Sequence, residues 1–313
     1  MENVNEPYKI SVVIPCFNEE AAIEAIYNAT LKAALPAGCE IEFVFVDDGS
    51  KDGTLDELRK LAAKDGRVHY ISFSRNFGKE AALLAGLRWS RGAYTVTLDA
   101  DGQDPPSLIP QMLEAVSSGV YECAGTRRTT RKGEPAARSF FARLFYALMG
   151  KITEVDVVDG ARDFRLMNKK YRDAVLSLPE RNRFSKGVFP WVGFKIKWFE
   201  YENIERTAGA TKWSFWKLFL YSIDGITAFS SKPLAVASFI GVLLFFISAA
   251  FIVFIAVRRL AYGDPVAGWA STACIVLFCS GFQLFTIGVL GQYLAKVYTE
   301  VKQRPHYIIK ETR

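Results

Sequence analysis

Histidine is nearly missing from this chain, with two in 313 residues. His69 lies in a strand pattern and His306 close to the C-terminus, so neither is a candidate catalytic imidazole. Cysteine is also sparse. Cys16, Cys39, Cys123, Cys274 and Cys279 show no zinc-ligand spacing, and reduced thiols in a cytosol-facing protein account for them. Neither GxGxxG nor GxxxxGK[ST] occurs, which removes support for dinucleotide oxidoreductases and P-loop enzymes. No internal repeat or low-complexity tract is evident, and residues 1–9 are polar and acidic, unlike a signal peptide.

Apolar residues, by contrast, make up 50% of the chain and are unevenly spread. Segments 234–257 and 267–294 hold no charged residue. Each exceeds the roughly 20 apolar residues needed to cross a bilayer. A short connection containing Arg258, Arg259 and Pro265 separates them, predicting a two-helix transmembrane hairpin. A buried helical hairpin of a soluble protein is the alternative. Lys212, Lys217 and Lys232 precede the first span, and Lys296, Lys302, Arg304, Lys310 and Arg313 follow the second. The positive-inside rule then places both termini, and a 295–313 tail, in the cytoplasm of a multi-pass membrane protein.

The net charge of +6 is partly local. Arg127, Arg128, Arg131, Lys132, Arg138 and Arg143 crowd beside Phe140, Phe141, Phe145 and Tyr146, a pattern suited to a membrane surface rather than nucleic acid. Residues 139–149 and 214–229 carry apolar residues at helical spacing and predict interfacial amphipathic helices. Trp213 and Trp216 would anchor the second, in a juxtamembrane segment spanning 211–233.

From residue 10 to 125 strand and helix patterns alternate. Strands are predicted at 10–14, 41–46, 68–73, 94–98 and 121–124, with helices at 19–32, 53–64, 78–89 and 106–117. Short apolar runs between amphipathic helices imply an α/β fold with a mostly parallel sheet. Such sheets bind ligands beyond the carboxyl ends of their strands. The polar clusters fall there: Asn18-Glu19, Asp47-Asp48, and the run from Asp99 to Asp104.

That last run, Asp99-Ala100-Asp101-Gly102-Gln103-Asp104, follows the apolar strand Ala93-Tyr94-Thr95-Val96. Carboxylates at i and i+2 with an amide beyond them suit Mg²⁺ or Mn²⁺, which take oxygen ligands and complete their shells with water and phosphate. Asp99, Asp101 and Gln103 are the candidate metal ligands; a solvated Asp-rich turn ending at Pro105-Pro106 is the alternative. Asp104 reads as a turn residue before Pro105.

Several motifs occur in order: Val12-Val13-Ile14-Pro15-Cys16-Phe17-Asn18-Glu19-Glu20, Val46-Asp47-Asp48-Gly49-Ser50, Arg75-Asn76-Phe77-Gly78-Lys79-Glu80, the acidic run, Asp163-Phe164-Arg165-Leu166-Met167, and Gly209-Ala210-Thr211-Lys212-Trp213-Ser214. With them the chain resembles the family-2 inverting glycosyltransferases of the GT-A fold. Within that family it is similar to the polyprenyl-phosphate glycosyltransferases, namely bactoprenol glucosyltransferases and dolichol-phosphate mannose synthases. The resemblance runs over essentially the whole chain. It implies a Rossmann-like GT-A catalytic domain over 1–210, with a nucleotide-sugar half at about 8–125 and an acceptor half at about 126–210.

The resemblance also implies roles. Pro15, Asn18 and Glu19 would shape the nucleotide cleft, and Asp47 or Asp48 would meet the base or ribose. Asp48 is favoured, since Asp47 could instead cap the turn before Gly49. Lys79, Asp99 and Ala100 would line the donor site. Asp101 would hold the metal as a Lewis acid on the departing nucleoside diphosphate. A lipid monophosphate acceptor has a second pKa near ~6, so it arrives largely ionised and needs cationic positioning more than proton removal. Arg127 and Arg138, with Arg206 and Lys212 behind them, are the acceptor-phosphate candidates. Asp163 is the carboxylate expected at the reacting centre, as base or as acceptor guide. The family often has Gly directly before that Asp; here Gly160-Ala161-Arg162 intervenes, and Asp159 competes for the role.

The implied activity is transfer of a hexose onto undecaprenyl phosphate at the cytoplasmic membrane face, for cell-envelope glycan modification. UDP-glucose is the favoured donor and GDP-mannose the alternative. Implied partners are a flippase and a downstream glycosyltransferase, with a homo-oligomer, such as a tetramer, as the assembly. A processive polysaccharide synthase would carry Gln-x-x-Arg-Trp and more spans, and neither is present. A non-catalytic nucleotide-sugar-binding scaffold is the reading from another class.

Overall fold

The computed structural model describes residues 9–33, 35–36, 38–128, 158, 160–202, 227, 230, 232–262 and 268–313. The elements of the first half are β1 (Lys9–Cys16), α1 (Ile23–Leu31), β2 (Glu40–Asp47), α2 (Thr54–Lys64), β3 (Val68–Phe73), α3 (Lys79–Trp89), β4 (Tyr94–Thr97) and α4 (Ile109–Ser117), the last entered through a 3₁₀ turn at Pro106–Leu108. Next come β5 (Cys123–Arg128), β6 (Ala161–Asn168), α5 (Lys169–Ser177), α6 (Ser185–Trp191), β7 (Ile196–Tyr201), α7 (Lys232–Tyr262), α8 (Trp269–Lys302) and β8 (Ile309–Thr312).

One sheet of eight strands, ordered β7-β5-β6-β4-β1-β2-β3-β8, organises residues 9–201 together with the C-terminal strand. Among these strands all but β6 and β8 run the same way. Strand alternation explains why both faces are covered. Ile10, Val12 and Ile14 join Phe43 and Phe45 in the core shared with α1, α2 and α4. Val13, Val44 and Val46 point the other way, onto Ala81, Ala82 and Ala85 of α3. The small residues let α3 lie close to the sheet: a Cβ on Gly86 would come within 2.2 Å of Val13 Cγ1.

The predicted strands and helices of residues 10–125 all appear, with boundaries shifted by a few residues. Three further strands lie outside the predicted set. The Asp-Phe-Arg-Leu-Met motif lies in β6, which pairs antiparallel with both β4 and β5, and β7 pairs with β5. Fully buried Arg165 joins β6 to α6 and β7, its guanidinium lying over the rings of Phe189 (4.8 Å) and Trp198 (5.1 Å). Residues 295–313, for which no element was predicted, continue α8 to Lys302 and then supply β8, antiparallel to β3.

The two long apolar segments form α7 and α8. By length and composition Phe278–Lys302 is a candidate span, and Leu234–Ser248 is a shorter apolar helix. Their bulky apolar side chains face outward: Phe239, Phe246, Phe254, Phe278, Leu284 and Phe285 are all more than half exposed. The predicted helices at 139–149 and 214–229, with Trp213 and Trp216, lie outside the described residues apart from Thr227.

Candidate active site

The cleft forms where β1, β2 and β4 end, beside the first residues of β6. Two loops are laced together at its floor. Asn18, at φ +56°, receives a Lys51 N–H on Oδ1 (2.9 Å) and donates its own N–H to Ser50 Oγ (2.9 Å). The Glu19 N–H reaches Thr54 Oγ1 (2.9 Å), fixing the turn after Pro15. The local polar pattern of both strand ends therefore serves loop geometry first.

Asp47 and Asp48 are both buried at the end of β2. Asp47 caps the turn, accepting the Ser50 N–H (2.9 Å) and the Ser72 hydroxyl (2.7 Å). Asp48, 3% exposed, spends one oxygen on the Phe77 N–H (2.6 Å) and the other on the Gly78 N–H (2.9 Å). Burial pushes its carboxyl above the usual range, and the two backbone donors offset only part of that. Gly49 must be glycine: its φ is +66°, and a Cβ would lie 2.3 Å from the Arg75 carbonyl carbon. The structure thus ties Asp48 to the loop before α3.

At the end of β4 the carboxylates meet cations. Lys79 Nζ lies 2.7 Å from Asp99 and 2.6 Å from Asp163 Oδ2. β6 brings Asp163 there, held beside β4 by the Thr97 hydroxyl, which donates to the Asp163 carbonyl. Burial alone would raise the Asp163 carboxyl, but Lys79 first and Lys186 second draw it well below the usual carboxylate range. Burial likewise disfavours charge on Lys79, yet Asp163 and Asp99 hold its ammonium above the normal range. Glu80, its carboxyl raised by burial and by the Asp163 charge, accepts the Ser185 N–H (3.0 Å) and fastens α6 next to this group.

Asp101 accepts the Gln103 N–H (3.1 Å), and the Gln103 side-chain oxygen accepts from Arg128 Nη2 (2.9 Å). Asp104 lies in the bend before Pro105, as a turn residue should, and its side chain is buried there. It is 1% exposed and accepts from Arg162 Nε (3.2 Å) and the Tyr201 hydroxyl (2.5 Å). Arg162, the residue that departs from the family pattern, thereby becomes part of the site, with Nη2 3.6 Å from Asp99.

Of the expected site residues the fold gathers Lys79, Asp99, Ala100, Asp101, Gln103 and Asp163. Arg127 it directs elsewhere: adjacent strand residues face opposite ways, and Arg127 pairs with Glu200 of β7 (Nε to Oε1 2.9 Å) while Arg128 turns to the acidic run. Arg138, Arg206, Lys212 and Asp159 lie outside the described residues. Sequence reasoning missed the site contributions of Arg128, Arg162, Lys186, Glu80 and Tyr201. Arg128 stands in the basic crowd, Glu80 ends the motif that holds Lys79 and Arg162 is the insertion, whereas Lys186 and Tyr201 carry no local signal.

Among the described residues no group of three or more His, Cys, Asp and Glu is assembled as a ready metal cage. The hard oxygens of Asp99 and Asp101 nevertheless fit a divalent ion that relies on one or two carboxylates and on substrate oxygens. Asp99 and Gln103 are both engaged already, the Asp99 oxygens by Lys79 (2.7 and 2.9 Å) and the Gln103 amide oxygen by Arg128 (2.9 Å), so each would exchange a partner to ligate.

A parallel α/β sheet with an acidic, cation-ringed cleft at its strand ends defines a GT-A-like enzyme. Residues 11–176 match Glycosyl transferase family 2, and the chain belongs to that family and is a glycosyltransferase. It is 40% identical over 304 residues to the SfII prophage-derived bactoprenol glucosyl transferase of Shigella flexneri, covering 97% of this chain and 98% of that protein. To a prophage bactoprenol glucosyl transferase homolog of Escherichia coli K12 it is 38% identical over 305 residues, with 97% and 99% covered. Among solved structures, glucosyl-3-phosphoglycerate synthase of Mycobacterium tuberculosis, in complex with Mn²⁺, UDP and phosphoglyceric acid, is similar with a TM-score of 0.48, 21% identity, and 70% and 76% of the two chains covered.

Proposed function

We propose that this glycosyltransferase moves a hexose, glucose from UDP-glucose, with inversion onto undecaprenyl phosphate at the cytoplasmic membrane face. The observation that carries the reading is the Asp99–Lys79–Asp163 cluster beside Asp101, in a chain whose relatives named bactoprenol glucosyl transferase match it almost end to end. The acceptor phosphate is a nucleophile already largely ionised near neutral pH, with a second pKa near ~6. Asp163, kept ionised by Lys79, is too weak a base to deprotonate that phosphate, so its part is to orient an acceptor that reacts already ionised. Lys79 and Lys186 keep the carboxylate from repelling it outright. A divalent ion held by Asp99 and Asp101 would supply Lewis-acid stabilisation to the departing diphosphate. Arg127, whose partner Glu200 is half exposed, can turn toward an acceptor at little cost, since exposed pairs are weak.

A membrane site supports this chemistry, because a polyprenyl chain meets an enzyme held at headgroup level far more often than one in bulk water. Outward-facing Phe side chains on α7 and α8 support two spans forming a hairpin.

The test is transfer from labelled nucleotide sugars, UDP-glucose and GDP-mannose among them, to undecaprenyl phosphate in membranes containing the protein. Labelled glycolipid from UDP-glucose is expected, and Asp101→Ala should cut the rate by on the order of a thousandfold. Glycolipid from GDP-mannose alone would reassign the donor. No product from any sugar, with nucleotide binding retained, would leave the non-catalytic scaffold.

A further inference from the structure

Two guanidinium groups at the acidic turn bury donors that have no hydrogen-bond partner among the described residues. Arg162 gives Nε to Asp104 (3.2 Å), yet its Nη2 is buried without a hydrogen bond among the described residues, and Asp99 is 3.6 Å away. Arg128 repeats the pattern, with Nη2 on Gln103 (2.9 Å) and a buried, unsatisfied Nε. Native proteins rarely leave buried donors unpaired, and an unmade bond there is costly. An arginine serving only to staple β6 to the turn would grip its carboxylate with both prongs of the fork. Arg162 uses one. Asp104 is itself held by the Tyr201 hydroxyl (2.5 Å), so the guanidinium is anchored from behind, with the spare edge on the Asp99 side. Anchored, desolvated and half-satisfied, such a group is prepared for an anionic oxygen.

We propose that Arg162 binds a substrate phosphate oxygen through Nη2, with Arg128 Nε as the second donor of the same site. This rests on the glycosyl-transfer reading, and the phosphate belongs to either the nucleoside diphosphate or the lipid monophosphate. Arginine's planar fork suits phosphate in a way that a lysine point charge does not. Asp104 positions the fork.

Titration calorimetry on the full chain in detergent tests this, with UDP, uridine and a short-chain prenyl monophosphate as separate probes. Arg162→Lys should weaken UDP or the prenyl monophosphate by about tenfold or more, with uridine binding and Tm unchanged. Loss confined to UDP assigns the donor diphosphate; loss confined to the monophosphate assigns the acceptor. A paired variant, Arg162→Gln with Asp104→Asn, removes both charges and so strands no buried carboxylate. It should show the same selective loss. Affinities within about twofold of the parent for both probes in both variants overturn the proposal, as does an equal loss of both probes with a lowered Tm. If the parent binds neither probe, the glycosyl-transfer reading falls and takes this one with it.

Discussion

At the scale of single residues, Lys79 governs the site because it is the cation shared by Asp99 and Asp163. The folded Asp163 carboxyl is depressed, so its stabilising contribution is complete above the unfolded value of about 3.9 and is lost as pH falls through the lower folded value. Lys79 is raised, so its contribution is complete below about 10.4 and is lost as pH climbs through the folded value. Near neutral pH both are fully present. In Lys79→Met, Asp163 stays buried with its main counter-charge gone, and its carboxyl should rise. Tm measured between about pH 4 and pH 8 should be nearly flat in the parent; in the variant it should be depressed at pH 8 and recover toward acid as the stranded carboxyl takes up a proton, with transfer abolished. Asp47 shows how far residue reading reaches: a capping role was foreseeable from the Gly49 turn, whereas the two N–H groups that occupy Asp48 come from residues some thirty positions on.

At the scale of elements, β8 has the largest consequence. The chain leaves α8 and returns to the free edge of β3, where Tyr307 stacks on Phe73 (4.8 Å between centroids) and Glu311 meets Arg59 and Tyr70. Phe73 in turn packs edge-on against Phe77, whose N–H holds Asp48. The end of an apolar helix is thereby braced against the loop that floors the cleft. Tyr307→Ala should cost about 2 kcal/mol, lowering Tm by roughly 5 °C, and should weaken UDP binding as the Phe77 loop loosens. Scanning calorimetry and titration would check both. A four-residue strand containing a lysine and a glutamate gives no periodicity signal. β6 was hidden for another reason: Arg162, Asp163 and Arg165 interrupt its apolar pattern because they serve the site and its joint with α6 and β7.

At the scale of the whole molecule, α7 and α8 present bulky apolar faces that no other part of the described chain covers, whereas α1 to α4 bury theirs against the sheet. The α8 end is fastened to the catalytic half, Glu300 accepting the backbone N–H groups of Arg181 (2.7 Å) and Asn182 (3.1 Å). With α7 and α8 in the bilayer, as proposed, the protein should remain in the pellet after alkaline carbonate extraction and be released by detergent. Release by carbonate alone would return the buried-hairpin alternative.

The alternating α/β core, the strand-end location of the site, the Asp99 to Asp104 run and the apolar C-terminal segments are all legible in the residues alone. Each is written in local spacing, strand period against helix period, and needs no distant partner. That Arg162 and Asp104 belong to the site, that Arg127 turns to Glu200 while Arg128 turns inward, and that the C-terminal strand closes the sheet edge emerge from the fold. Those outcomes depend on which strands become neighbours: β6 carries Arg162 and Asp163 to β4, and β5 carries Arg128 to Gln103. Pairings between segments far apart in the chain arise from packing the whole sheet, and short local patterns do not encode them.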